Sequence, residues 1–250
     1  MVITDFLIET QNLVKIYKQG NVKAVDGLNL NIYEGEIYAF IGANGSGKTT
    51  TIKMLTGMLD PTYGLIRVFG LSQPKNRKII ARNIGIAPQE YSLYNDLTTY
   101  ENIRFFAYLY GMEKQEFKAH IDELIQILNL EDKKETLVSH LSGGMKRRVS
   151  IACALIHSPR LVFFDEATVG VDPILRKFFW EYFNELKERG VTLIITSHVM
   201  DEAERADRIG LIRAGKLIDE GTPNELKIKH GVNTIEEVFI KLSDEEIRDE

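Results

Sequence analysis

Ile37-Tyr38-Ala39-Phe40-Ile41-Gly42-Ala43-Asn44-Gly45-Ser46-Gly47-Lys48-Thr49-Thr50 decides how the rest of the chain is read. An apolar run enters a glycine-rich turn of the form G-x-x-x-x-G-K-[ST]. Thr51, Ile52, Met54, Leu55 and Met58 then recur at the spacing of one helix face. A strand, a turn and a helix in that order make a phosphate cradle. The glycines let the backbone curl until successive N–H groups point inward, and the helix start adds partial positive charge. Residues Gly42, Ala43, Asn44, Gly45, Ser46, Gly47, Lys48, Thr49 and Thr50 are therefore the candidate nucleoside-triphosphate set. Lys48 is expected to bridge the β- and γ-phosphates, and the Thr49 hydroxyl to ligate Mg²⁺.

Further along, Leu161-Val162-Phe163-Phe164-Asp165 is an apolar run ending in an acid, and Glu166 follows directly. Such a strand is expected to run beside the P-loop strand and deliver Asp165 to the magnesium through water. Glu166 is then placed to polarise a water attacking the γ-phosphate. An acid after an apolar strand is by itself only a solvated strand end; pairing with the cradle gives it a role.

Leu141-Ser142-Gly143-Gly144-Met145 narrows the field. Ser142 can cap a helix beginning near Gly143, and the bare glycines let a phosphate approach the backbone amides. The stretch resembles the signature sequence of ATP-binding cassette (ABC) ATPases and lies between the cradle and the acidic strand, as in that family. The resemblance covers roughly Ile8 to Gly221 and carries further elements in family order. Gln89 resembles the glutamine that reaches magnesium and the attacking water. Val169-Gly170-Val171-Asp172 resembles the loop that crosses the dimer interface. His198 resembles the switch histidine at the γ-phosphate. Tyr17 sits where an aromatic ring stacks on adenine, with Val25 as its neighbour. Two residues depart from the family pattern: Met145 stands where glutamine is usual, and Val171 where leucine is commoner.

What the resemblance implies is an α/β fold: a P-loop NTPase (RecA-like) core with an antiparallel β subdomain and an inserted α-helical subdomain. It also implies ATP and Mg²⁺ as cofactors. Two copies would sandwich two ATP molecules, each between one P-loop and the other copy's Ser142, Gly143, Gly144 and Asp172. Residues 1–90 and 160–221 would form the ATP-binding core with its β subdomain, 91–159 the helical subdomain and 222–250 a helical tail. Its partners would be a transmembrane permease and a second copy or a homologous subunit, with no nucleic acid. The segment Glu90, Tyr91, Leu93, Tyr94 and Tyr100–Tyr110 would be the docking face, the alternative being that its rings fill the helical subdomain's own core. The tail Thr234-Ile235-Glu236-Glu237-Val238-Phe239 resembles a closing helix of the drug, sodium and lipid exporter branch. Export is the favoured direction, with import the runner-up and a soluble cassette acting on DNA or ribosomes a more distant third.

Composition agrees. The net charge of −5 opposes non-specific nucleic-acid binding, which depends on displacing counterions with lysine and arginine. Cys153 is the single cysteine, so no internal disulfide can form, and it reads as a small core residue. No run approaches a membrane span, and Met1–Thr10 makes a poor secretion signal, so the expected place is the cytoplasmic face of the membrane, reached through a permease.

Short β-branched runs recur at Leu28–Ile32, Leu65–Val68, Ile84–Ala87, Val191–Thr196 and Ile209–Ile212. The continuous ones suit a parallel sheet covered on both faces, and the alternating early ones an antiparallel sheet. Between Leu97 and Leu155 the apolar period is helical: Ile103, Phe106, Ala107 and Tyr110, then Ile121, Leu124, Ile125 and Leu128. Thr222, Pro223 and Glu225 announce a capped helix, as do Thr234 and Glu237. Lys146, Arg147 and Arg148 read as the solvated or interface side of the signature helix, whose inner face is Val149, Ala152 and Leu155. His120, His140, His157 and His230 carry no assigned role.

Overall fold

The computed structural model describes residues 6–168 and 170–249. Val169 of the expected interface loop, and the first five residues of the N-terminal stretch, lie outside them. In chain order the elements are β1 (Phe6–Tyr17), β2 (Val22–Tyr33), β3 (Ile37–Ile41), α1 (Lys48–Leu55), β4 (Tyr63–Val68), β5 (Leu71–Gln73), α2 (Arg77–Ala81) and β6 (Ile84–Ala87). Three helices follow, α3 (Thr99–Leu109), α4 (Lys114–Ile127) and α5 (Gly143–Leu155). The chain returns through β7 (Leu161–Asp165), α6 (Pro173–Glu188), β8 (Thr192–Ser197), α7 (Met200–Ala203), β9 (Arg208–Arg213) and β10 (Lys216–Gly221), and closes with α8 (Pro223–His230) and α9 (Ile235–Asp249).

Two sheets result. The first is antiparallel with strand order β2-β1-β4-β5. The second has order β10-β9-β3-β8-β7-β6, parallel except for β10 at its edge. Strands β3, β7 and β8 are buried at every position, which is why they read as unbroken apolar runs. One apolar cluster lies between the two sheets and α1, built around Leu13, Val25, Phe40, Ile52 and Phe163. A second covers the opposite face and joins Ile41, Phe164 and Leu193 to α5, α6 and the core-facing sides of α3 and α4. The helical reading of Leu97–Leu155 holds: Ile103, Ala107, Ile121, Ile125 and Leu128 all face inward.

One expectation is corrected. β7 does not run directly beside β3, because β8 lies between them. Thr196 pairs with Phe40 on one side and Asp165 on the other, so a hydroxyl stands between the two functional strand ends. Which strand neighbours which is set by how α6 crosses over, and no local pattern records that.

Candidate active site

The cradle forms where β3 ends. Ser46 N–H donates to the Ala43 carbonyl at 3.2 Å, closing the turn. Gly47 adopts φ +109° against the Ala24 carbonyl, and a Cβ would collide with that oxygen, so only glycine fits. α1 starts at Lys48, whose side chain is 5% exposed and folds back over the turn. Its ammonium donates to the carbonyls of Gly42 at 2.6 Å and Ala43 at 3.1 Å. Burial draws the Lys48 pKa below its usual value, while Glu166 and Asp165 act against that. The buried Ser46 hydroxyl has no protein partner.

Asp165 and Glu166 reach this cradle from the end of β7. Thr196 donates its hydroxyl to Asp165 Oδ1 at 2.6 Å and accepts the Glu166 N–H at 3.0 Å. Thr49 Oγ1 lies 3.4 Å from the same Asp165 oxygen. Glu166 is buried with φ +52°, a left-handed conformation rare outside glycine. Gln89 donates its amide to Glu166 Oε2 at 2.8 Å, and His198 Nδ1 lies 3.4 Å from Glu166 Oε1. Three loops thus converge on one carboxylate, from β6, β7 and β8. A cleft of about 260 Å³ opens beside it, lined by Ala24, Asn44, Gly45, Gly47, Lys48, Thr49, Thr50, Gln89 and Glu166.

This donor set fits a nucleoside triphosphate with Mg²⁺. The turn leads into the N-terminus of α1 and carries a buried serine hydroxyl with no protein partner. Thr49 and Asp165 bring one hydroxyl and one carboxylate together, the hard oxygen pair that Mg²⁺ takes alongside phosphate oxygens. No cluster of three metal-ligating side chains occurs among the described residues, and Mg²⁺ shared with a phosphate needs none.

Tyr17 stands at the end of β1, half-exposed, with its hydroxyl 3.5 Å from Thr50 Oγ1. Its ring is therefore at the mouth of the cleft. Val25 is not at that mouth: it is 1% exposed and packs in the inter-sheet core. Alternation along β2 turns Ala24 toward the cleft instead. Ser142 and Gly143 are exposed and Gly144 is half-buried, none of them on the cleft's wall. Ser142 caps α5 by accepting the Met145 N–H at 3.3 Å, and Asp172 caps α6 by accepting from Ile174 and Leu175.

The chain matches the family model described as "ABC transporter" over residues 25–169. The chain belongs to the ABC transporter family. Among solved structures, the cassette is similar to an ATP-binding subunit of an ABC transporter, with TM-score 0.86 and 29% identity over 95% of this chain and 99% of that one. A dimeric cassette, MJ0796, in a post-hydrolysis state with ADP and Pi, is similar with TM-score 0.80 and 27% identity over 86% of this chain and 98% of that one. Among curated proteins it is 39% identical to the probable multidrug ABC transporter ATP-binding protein YbhF of Escherichia coli, over 94% of this chain and 41% of that protein. The chain thus spans less than half the length of that relative. It is 43% identical to the bacitracin transport ATP-binding protein BcrA of Bacillus licheniformis, over 88% of this chain and 71% of that protein. The cassette binds and hydrolyses ATP, as its family does.

One residue expected on the solvated or interface side of α5 is buried within the chain. Arg147 is 5% exposed, while its neighbour Arg148 donates to the carbonyls of Leu128 and Asn129 at 3.2 Å each. Three consecutive residues on a helix point in directions about 100° apart, so a run of cations cannot share one face. That geometry was the available signal.

Proposed function

We propose that the cassette is the motor subunit of an exporter, closing as a dimer around two ATP molecules at the cytoplasmic face and driving a separate transmembrane permease. The observation that carries this reading is the convergence of Gln89 and His198 on Glu166 above the P-loop cleft. The exposed Ser142 turn stands apart from that cleft, so one copy carries only part of a phosphate shell.

In this mechanism Lys48 exchanges the Gly42 and Ala43 carbonyls for the β- and γ-phosphates. Backbone N–H groups of the turn and of the first residues of α1 hold the rest of the triphosphate. Thr49 and Asp165 would hold Mg²⁺, which would neutralise phosphate charge. Glu166 accepts the proton of the attacking water while that oxygen bonds to the γ-phosphorus. The bond to the bridging oxygen of ADP breaks, and inorganic phosphate leaves. Gln89 orients Glu166 and the water, and His198 contacts the γ-phosphate. The Tyr17 ring stacks on adenine. A second copy completes the shell with Ser142, Gly143 and Gly144, and its Asp172 lies across the interface. Nucleotide favours the closed dimer because only that state offers both donor sets. Loss of the γ-phosphate removes the bridge.

The permease carries the span, since among the described residues no helix is long and apolar enough to cross a membrane. Exposed Tyr91, Tyr94, Phe105, Tyr108 and Leu109 surround the Gln89 loop and α3 and form the docking face. Export is supported by relatives, among them the Nod factor export ATP-binding protein I of Rhizobium meliloti, 39% identical over 90% of this chain and 67% of that protein. Recovery of the tagged cassette from solubilised membranes with a multispan protein tests the reading. Recovery with DNA or ribosomes contradicts it.

A further inference from the structure

Arg147 sits one turn beyond the Ser142 cap, on the side of α5 that faces the core. Its two terminal nitrogens find acceptors on a single loop, whereas Nε has no hydrogen-bond partner among the described residues. Nη1 donates to the Pro88 carbonyl at 2.6 Å, and Nη2 donates to the Gln89 carbonyl at 3.0 Å. These acceptors lie 59 and 58 residues away in sequence, on the loop that carries Gln89. The Tyr91 ring lies against the guanidinium, 4.9 Å from centroid to Cζ. The Tyr91 hydroxyl in turn lies 3.5 Å from where a Gly143 Cβ would project. Residues 88–91 are thus fastened to the first two turns of α5 through one guanidinium. From the same loop the Gln89 amide reaches the opposite way, to Glu166.

We propose that Arg147 is a positioning residue: its forked donors hold the Pro88 and Gln89 carbonyls against the signature helix and so set where the Gln89 amide meets Glu166. Two carbonyls from successive residues suit a planar guanidinium, and a lysine ammonium carries the charge without the fork. The loop backbone cannot shift relative to α5 without breaking one of these bonds. The Ser142 turn and the Gln89 amide therefore move as one body. The inference deepens the roles given above to Gln89 and Glu166 and rests on them.

The test is steady-state ATP hydrolysis by the full chain as a double-mutant cycle of Arg147→Met and Gln89→Ala. Arg147→Met is expected to lower kcat by about 10- to 100-fold, the scale of an ångström-sized misplacement, with KM for ATP held within about twofold. Arg147→Lys recovers part of that loss. In the Gln89→Ala background Arg147→Met adds no further loss, because the group through which it acts is gone. Losses that multiply, or a parental kcat in Arg147→Met, overturn the inference. Gln89→Ala slow beside Arg147→Met fast removes the inference and leaves the proposed function standing. Gln89→Ala at the parental rate removes the role of Gln89 and the inference with it. Should Arg147→Met fail to fold, Arg147→Lys keeps the buried charge and carries the same cycle with Gln89→Ala.

Discussion

Glu166 holds a left-handed backbone conformation, at φ +52°, in which a branched-free but bulky side chain costs about 1–3 kcal/mol. Its N–H is bonded to Thr196 through both the hydroxyl and the carbonyl, which keeps it there. The strain aims the carboxylate at the cleft, where a proton acceptor is needed. Glu166→Gln keeps shape and hydrogen bonding but loses basicity, and kcat is expected to fall about 10²- to 10⁴-fold with ATP affinity preserved. Rapid-quench turnover and nucleotide titration read the two separately. Lys48→Ala should do the reverse, weakening ATP binding about 10- to 100-fold, the worth of a buried charge-assisted hydrogen bond. Nucleotide fluorescence titration checks it. At this scale the cluster around the cleft was legible, because Lys48, Thr49, Asp165 and Glu166 stand in fixed spacings to one turn or one strand end. Arg147 and Val25 were not. Whether one side chain of a charged run turns inward, or which of two adjacent strand residues faces a cleft, depends on what packs there.

At the scale of elements, the join between α3, α5 and β6 has a pH signature. His157 follows α5, stacks on Tyr110 with ring centroids 3.5 Å apart, and has Nε2 3.1 Å from the Ile84 carbonyl. Burial pushes its pKa down to about 4 from an ordinary value near 6.5. The unfolded chain therefore binds a proton in this window where the native one does not. The stability that neutral His157 contributes is complete above about pH 6.5 and is lost as pH falls toward 4. Denaturant midpoints at pH 7 and pH 5 should separate in the parent and converge in His157→Gln. The α8 start is a second local element: Thr222 accepts the Glu225 N–H at 3.2 Å while Glu225 accepts the Thr222 N–H at 2.9 Å. Thr222→Ala should cost about 1 kcal/mol, read as a shift of the thermal midpoint. That cap was visible in sequence, as were the buried strands. β1 was not, since its register shifts at Gln11–Leu13 break the period that would have announced it. The interposition of β8 between β3 and β7 escaped for a different reason: strand order is a property of crossovers.

At the scale of the molecule, the two apolar clusters share the parallel sheet as a common wall. One anchors the cradle from below, and the other ties α5 to the sheet that carries Asp165. Packed side chains therefore run without a break from α5, which begins at the Ser142 turn, to the strand ends. The proposed mechanism depends on two copies sharing their phosphates. Light scattering on Glu166→Gln in excess Mg²⁺ and ATP tests this most directly. The apparent mass should rise from the 28.5 kDa of one chain to that of two on adding ATP, and Ser142→Arg should return it to one while each chain still holds nucleotide. A chain that stays single with ATP bound, or a pair that survives Ser142→Arg, would contradict it.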